Sequence, residues 1–156
     1  MKIILFTLFL MYSLHSNADE CGLDEIMIAS CALKGNTHRT ASFCVNEKKG
    51  YLYYSFKRNK KEELRVNFSQ DRKLKRWVDQ WTDTTYFGFS RGEYDYVLGV
   101  PEEKLDAVAF LDVKKNGDSL VLNSCISNSF GSKDVKSSSI EDVSDSSVRD
   151  NNLKFP

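Results

Sequence analysis

The chain has no Cys-x-x-Cys pair and only two histidines. Each absence removes a class of function. Without Cys-x-x-Cys a thioredoxin-like redox motif is excluded, and the unpaired spacing of the four cysteines argues against a zinc site. His15 lies in the leading apolar segment, which leaves His38 alone in the rest of the chain. One histidine in a polar turn does not supply a histidine-based metal site, and with no cysteine or carboxylate pattern beside it in the sequence it is a poor base for a hydrolytic triad. Charge of one sign is missing too. Lys+Arg and Asp+Glu each number 22, so a dedicated nucleic-acid binder is not expected. Internal repeats of convincing period are absent as well.

The most informative segment present is the first eighteen residues. Lys2 gives a short positive start, Ile3 to Leu14 is almost unbroken apolar sequence, and Ser16-Asn17-Ala18 places small residues where a signal peptidase reads. The expectation is a secretory signal peptide over 1–18, too short to serve as a stable membrane anchor. Asp19-Glu20-Cys21 lacks the small apolar residues that a lipoprotein signal sets before its cysteine. The mature chain is therefore expected to begin at Asp19, soluble, in an oxidising compartment such as the periplasm. Four cysteines in an exported chain read as two disulfides.

Charge is unevenly spread. Between Lys48 and Arg76 eleven Lys/Arg face three acids, whereas from Glu93 to Asp150 twelve acids face six bases. Solvated loops account for such segregation, and so does a charged face that steers a partner.

Residues 19–129 read as one β-rich domain, an antiparallel meander or sandwich with at most one short helix. Ile26–Ala32, Arg39–Val45, Tyr51–Phe56 and Leu64–Phe68 have strand-like composition, and strict alternation puts Leu64, Val66 and Phe68 inward. Asn116-Gly117 between two apolar runs is a strong hairpin signature, and apolar residues on both faces of 107–113 suggest a strand near the sheet centre. Leu74, Trp77, Val78 and Trp81 recur at helical spacing, which predicts a helix over 70–83. Residues 130–156 are rich in Ser and Asp and read as an extended, partly ordered tail. Cys31 and Cys44 flank one turn on adjacent strands, so the favoured bridges are Cys31–Cys44 and Cys21–Cys125.

No catalytic residues are expected, and no cofactor or metal. Asp79, Asp83, Glu93 and Asp95 lie among aromatics, as sugar-cleaving carboxylates do, but scattered surface acids are more often solvating. The densest constellation is aromatic: Trp77, Trp81, Tyr86, Phe87, Phe89, Tyr94 and Tyr96, with Arg91 interleaved. Part of it must be core, and the rest has the composition of interface anchors or of sugar-stacking surfaces. The expected partner-binding set is Trp77, Trp81, Phe89 and Arg91, with acids at Glu93, Asp95, Glu102 and Glu103 complementing a basic protein.

In plan the chain resembles small exported bacterial lysozyme inhibitors and the periplasmic immunity proteins of type VI secretion effectors. The signal segment, Cys31 and Cys44 around Arg39-Thr40-Ala41-Ser42-Phe43, the Tyr51–Phe56 strand and Glu63-Leu64-Arg65-Val66 carry the resemblance, over about a third of the mature chain. It implies a protein partner, namely an envelope-degrading enzyme whose cleft is occluded. It transfers no inhibitory residue. The competing expectation is a module that binds envelope carbohydrate or lipopolysaccharide through the same aromatics and the Lys48–Arg76 basic region. Open sheet edges also leave room for a homodimer.

Overall fold

The computed structural model describes residues 20–156, so the expected signal segment 1–18 and the mature start at Asp19 lie outside the described residues. The strands are β1 (Ile26–Leu33), β2 (Arg39–Asn46), β3 (Tyr51–Arg58), β4 (Lys61–Phe68), β5 (Leu74–Asp79), β6 (Thr84–Arg91), β7 (Tyr94–Pro101), β8 (Phe110–Lys115), β9 (Asp118–Phe130) and β10 (Ile140–Val143). One helical turn, α1 (Asp145–Arg149), follows. Among the described residues no helix is long and apolar enough to cross a membrane.

The strands make one sheet in the order β10-β5-β6-β7-β8-β9-β1-β2-β3-β4. Every neighbouring pair is antiparallel except β10 and β5, which run parallel. Two-residue turns with positive φ join β3 to β4 (Asn59, Lys60) and β8 to β9 (Asn116, Gly117), the geometry that matches the right-handed strand twist. β8 stands near the middle of the order, and Ala109 and Leu111 point inward while Phe110 points outward, as the apolar pattern on both faces suggests.

Strand β9 belongs to two halves of the sheet. Residues 118–124 pair with β8 and residues 125–130 with β1, so the sheet turns a corner through it and rolls on itself. Across the interior, Phe43 of β2 meets Phe87 and Phe89 of β6 at ring separations of 5.8 and 6.2 Å. Tyr54 and Phe68 approach Phe89 to 5.0 and 5.4 Å. Packing of this apolar face is the main stabilising contribution, roughly 1.5–3 kcal/mol for each large side chain fully buried.

Three expectations are corrected. Residues 70–83 are not a helix: Leu74–Asp79 is β5, and residues 80–83 turn into β6. The apolar stripe misleads because both faces of this strand are covered. Leu74 joins the interior, while Trp77 faces outward into a second cluster with Val97, Val148 and Phe155. Those last two residues belong to the segment expected to be an extended tail. It instead adds β10 and α1 and closes over the outer face of β5–β7.

The disulfides are Cys21–Cys44 and Cys31–Cys125, not the expected pairs. Pleating gives the reason. Cys31 lies opposite Ala41, and Cys44 lies opposite Met27. Cys31 therefore shares the inner face with Ala41 and Phe43, and Cys44 points outward beside Tyr53 and Cys21. Two stapled bridges suit an oxidising compartment.

Charged contacts hold both termini down. Arg76 is buried on the inner side of β5. Its guanidinium donates to Asp142 at 2.5 and 2.9 Å and to the carbonyls of Lys133 and Val135 at 2.8 and 2.9 Å. That contact keeps the Asp142 carboxyl below its ordinary range. At the other terminus, burial raises the pKa of Glu25, but hydrogen bonds from Tyr53, the Gly22 amide and Tyr51 outweigh it and the net shift is downward. A depressed carboxylate contributes stability above its unfolded value of about 4 and loses it as pH falls through the folded value. The melting temperature is therefore expected to drop below about pH 4, and Asp142→Asn should flatten that drop. An unchanged acid slope in the variant would refute the assignment.

Candidate partner-binding face

The β5–β6 turn presents the most exposed tryptophan. Asp79, itself buried, accepts the Trp81 amide at 2.9 Å on one oxygen and the Thr82 hydroxyl at 2.9 Å on the other. Arg149 of α1 pairs with the same carboxylate, donates to Asp145 at 2.8 Å, and lies over the Trp81 ring at 4.1 Å. Trp77 donates to Asp145 at 2.9 Å. Hydrogen bonds and a cation–π contact thus brace the turn from below. The Trp81 side of the ring that faces away stays in solvent, with 81% of the residue exposed.

A second apolar side chain stands on the adjoining loop. The β7–β8 connection carries Leu105, 95% exposed. It is tied to the β5–β6 turn by the Glu102 amide, which donates to the Asp83 carbonyl at 2.8 Å, and by Lys104, whose Nζ lies 2.9 Å from the Asp83 carboxylate. Glu102, Glu103 and Asp106 are exposed on this loop. Two large apolar side chains, Trp81 and Leu105, thus stand on adjoining turns beside exposed acids.

The structure divides the partner-binding set read from the sequence. Trp81 lies on this face, with Glu102 and Glu103 on its neighbouring loop. Trp77 and Phe89 are only 5% and 3% exposed, stacked on Tyr86 (4.6 Å) and Tyr96 (4.9 Å) respectively, and serve as core. Arg91, Glu93 and Asp95 sit at the opposite end of β6, about 25 Å of strand away. There Glu93 and Asp95 line a broad polar depression of about 780 Å³. Ser90 donates to Asp95 at 2.6 Å and Lys115 lies 3.6 Å from Glu93. The four weighed carboxylates are likewise split between the two ends, with Asp79 and Asp83 engaged in the turn.

Leu105 was missed because a lone leucine in Glu103-Lys104-Leu105-Asp106 has no periodic context. Arg149 was missed because nothing local links it to Trp81. Cys21, Glu25 and Cys44 come within ligand distance of one another, but both sulfurs are in the disulfide. Searches of family models, of curated proteins and of solved structures each return no match.

Proposed function

We propose that this chain is an exported binding protein that neutralises a basic, cell-envelope-degrading enzyme of the lysozyme type by inserting the Trp81 turn into its cleft. Export rests on the reading of residues 1–18, and the two disulfides agree with it. The observation that carries the reading is the braced, outward Trp81 beside Leu105 and an acidic loop. A rigid aromatic anchor loses little entropy on docking, and acidic neighbours steer a cationic partner.

The test is inhibition of peptidoglycan hydrolysis by a panel of basic muramidases and amidases, titrated with the disulfide-intact protein. Tight inhibition of one enzyme is expected, with Trp81→Ala weakening it on the order of a hundredfold, the size of a central anchor's truncation. Leu105→Ala should cost less, and raising the salt should slow association. No inhibition across the panel, or full inhibition by Trp81→Ala, would reject the reading.

A further inference from the structure

The end of the rolled sheet opposite Trp81 holds an opening into the interior. Four hairpins converge there: β1–β2, β3–β4, β6–β7 and β8–β9. The first two are joined directly, since the Asn59 amide donates to the His38 carbonyl at 2.6 Å and the His38 amide donates to the Asn59 side chain at 3.2 Å. Between the two halves of the sheet lies a cavity of about 280 Å³. Its walls are mostly apolar and aromatic, including Tyr54, Phe56, Leu64, Leu111 and Val113. Away from this opening, Val135 of the 131–139 segment packs on the core.

One residue in this wall breaks the pattern of the fold. Alternation along β2 places Arg39 on the same face as Ala41, Phe43 and Val45, which is the core face. Its Nη2 donates to the Lys34 carbonyl at 2.9 Å, but its Nε is buried without a hydrogen-bond partner among the described residues. The other inward arginine, Arg76, shows how this fold treats a structural guanidinium: a carboxylate and two carbonyls satisfy it. A buried N–H left unpaired costs about 1–3 kcal/mol, and sites that retain such a cost are where function is expected. The rim adds further positive charge, with Lys34, Lys60 and Lys61 on the two joined hairpins, while Arg58 beside them is paired with Glu63 at 3.2 Å.

From this geometry we infer that the cavity binds a single acyl chain ending in an anionic head, the chain lying among Phe56, Leu64, Leu111 and Val113 and the head accepting from Arg39. A volume near the lower bound of about 300 Å³ for small-molecule sites favours one short chain over a sterol or a whole two-chain lipid. Free fatty acids and the chains of anionic envelope lipids share this chemistry. The site is independent of the inhibitor reading, because it lies at the other end of the sheet from Trp81.

The experiment is calorimetric titration of the disulfide-intact protein with octanoate, decanoate and dodecanoate, with decanol as the uncharged control. A parallel arm measures co-sedimentation with phosphatidylglycerol vesicles against phosphatidylcholine vesicles. Decanoate is expected to bind at least tenfold tighter than decanol. Arg39→Met, which keeps the apolar stem, should remove that preference and leave decanol binding unchanged. Val121→Trp, at the partly exposed rim of the cavity, should weaken both ligands at least tenfold and guards against a folding defect in the arginine variant. Binding of the monomeric acids identifies a free fatty acid as the source. Association confined to phosphatidylglycerol vesicles, with the same dependence on Arg39 and Val121, identifies a membrane lipid. Equal binding of decanoate and decanol, insensitivity to both substitutions, or binding in neither arm would overturn the inference. Trp81→Ala should leave these titrations unchanged, which separates the failure of this site from that of the inhibitory face.

Discussion

Replacing Cys31 and Cys125 together by alanine is expected to lower the unfolding free energy by about 4–5 kcal/mol, against about 3–3.5 kcal/mol for Cys21 and Cys44. The first bridge spans 94 residues and the second 23, so the first removes more entropy from the unfolded chain. Position reinforces the order. Cys31–Cys125 ties β1 to the far half of β9 where the sheet turns its corner, and both sulfurs lie in the interior cluster. Cys21–Cys44 instead fastens the entry segment to the outer face of β2 beside Tyr53. For a domain of this size the larger loss corresponds to a drop of about 10 °C or more in melting temperature. Urea titration of the three proteins would decide it. A greater cost for the Cys21/Cys44 pair would show that local anchoring, rather than loop closure, governs the stability of the two staples.

The pairing of those cysteines marks the boundary of what the sequence made legible. An even cysteine count predicts two bridges, but which sulfurs meet depends on which face of a strand each occupies. That in turn follows from the register of β1 on β2, which no local signal states. Elements defined by short-range chemistry were readable. Asn116-Gly117 demands a tight hairpin, and alternation at Leu64, Val66 and Phe68 assigns one face of β4. β5 was not readable, because Leu74 and Trp77 satisfy helical spacing equally well when both faces of a strand are covered. The cover itself was hidden. Val143, Val148 and Phe155 are sparse apolar anchors in a Ser/Asp-rich context, and composition averages them away.

The candidate face follows the same division. Trp81 was identifiable as an aromatic beside charge, whereas Trp77 and Phe89 could not be told from it without knowing what lies over each strand. Arg39 could have been suspected on alternation alone. It occupies the inward phase of β2, ahead of Ala41, Phe43 and Val45, where a charge has no place unless something pairs with it.

Gly88 and Phe155 should behave as one unit. The φ of Gly88 is not in the left-handed region, so the β6 backbone itself would accept other residues there. The demand for glycine comes from the C-terminus. An added Cβ would lie 2.6 Å from Cε1 of Phe155 and 3.1 Å from Cβ of Pro156. The Phe155 ring fills the space that a side chain on the outer face of β6 would occupy, against Trp77 at 5.8 Å and Tyr86 at 6.4 Å. Phe155→Ala is expected to cost about 3 kcal/mol by emptying that position. Gly88→Val should cost a similar amount by expelling the ring. The double variant should then fall short of the sum by at least about 1 kcal/mol, because the new valine occupies the vacated site and the same contact cannot be lost twice. Additive costs in a four-protein urea series would contradict this. The coupling also reaches the proposed binding face. Arg149, which braces Trp81, belongs to the segment that Phe155 pins down. Phe155→Ala should therefore weaken the inhibition proposed for this chain without removing any group from the proposed docking surface, through a slower association as the Trp81 turn loses its support.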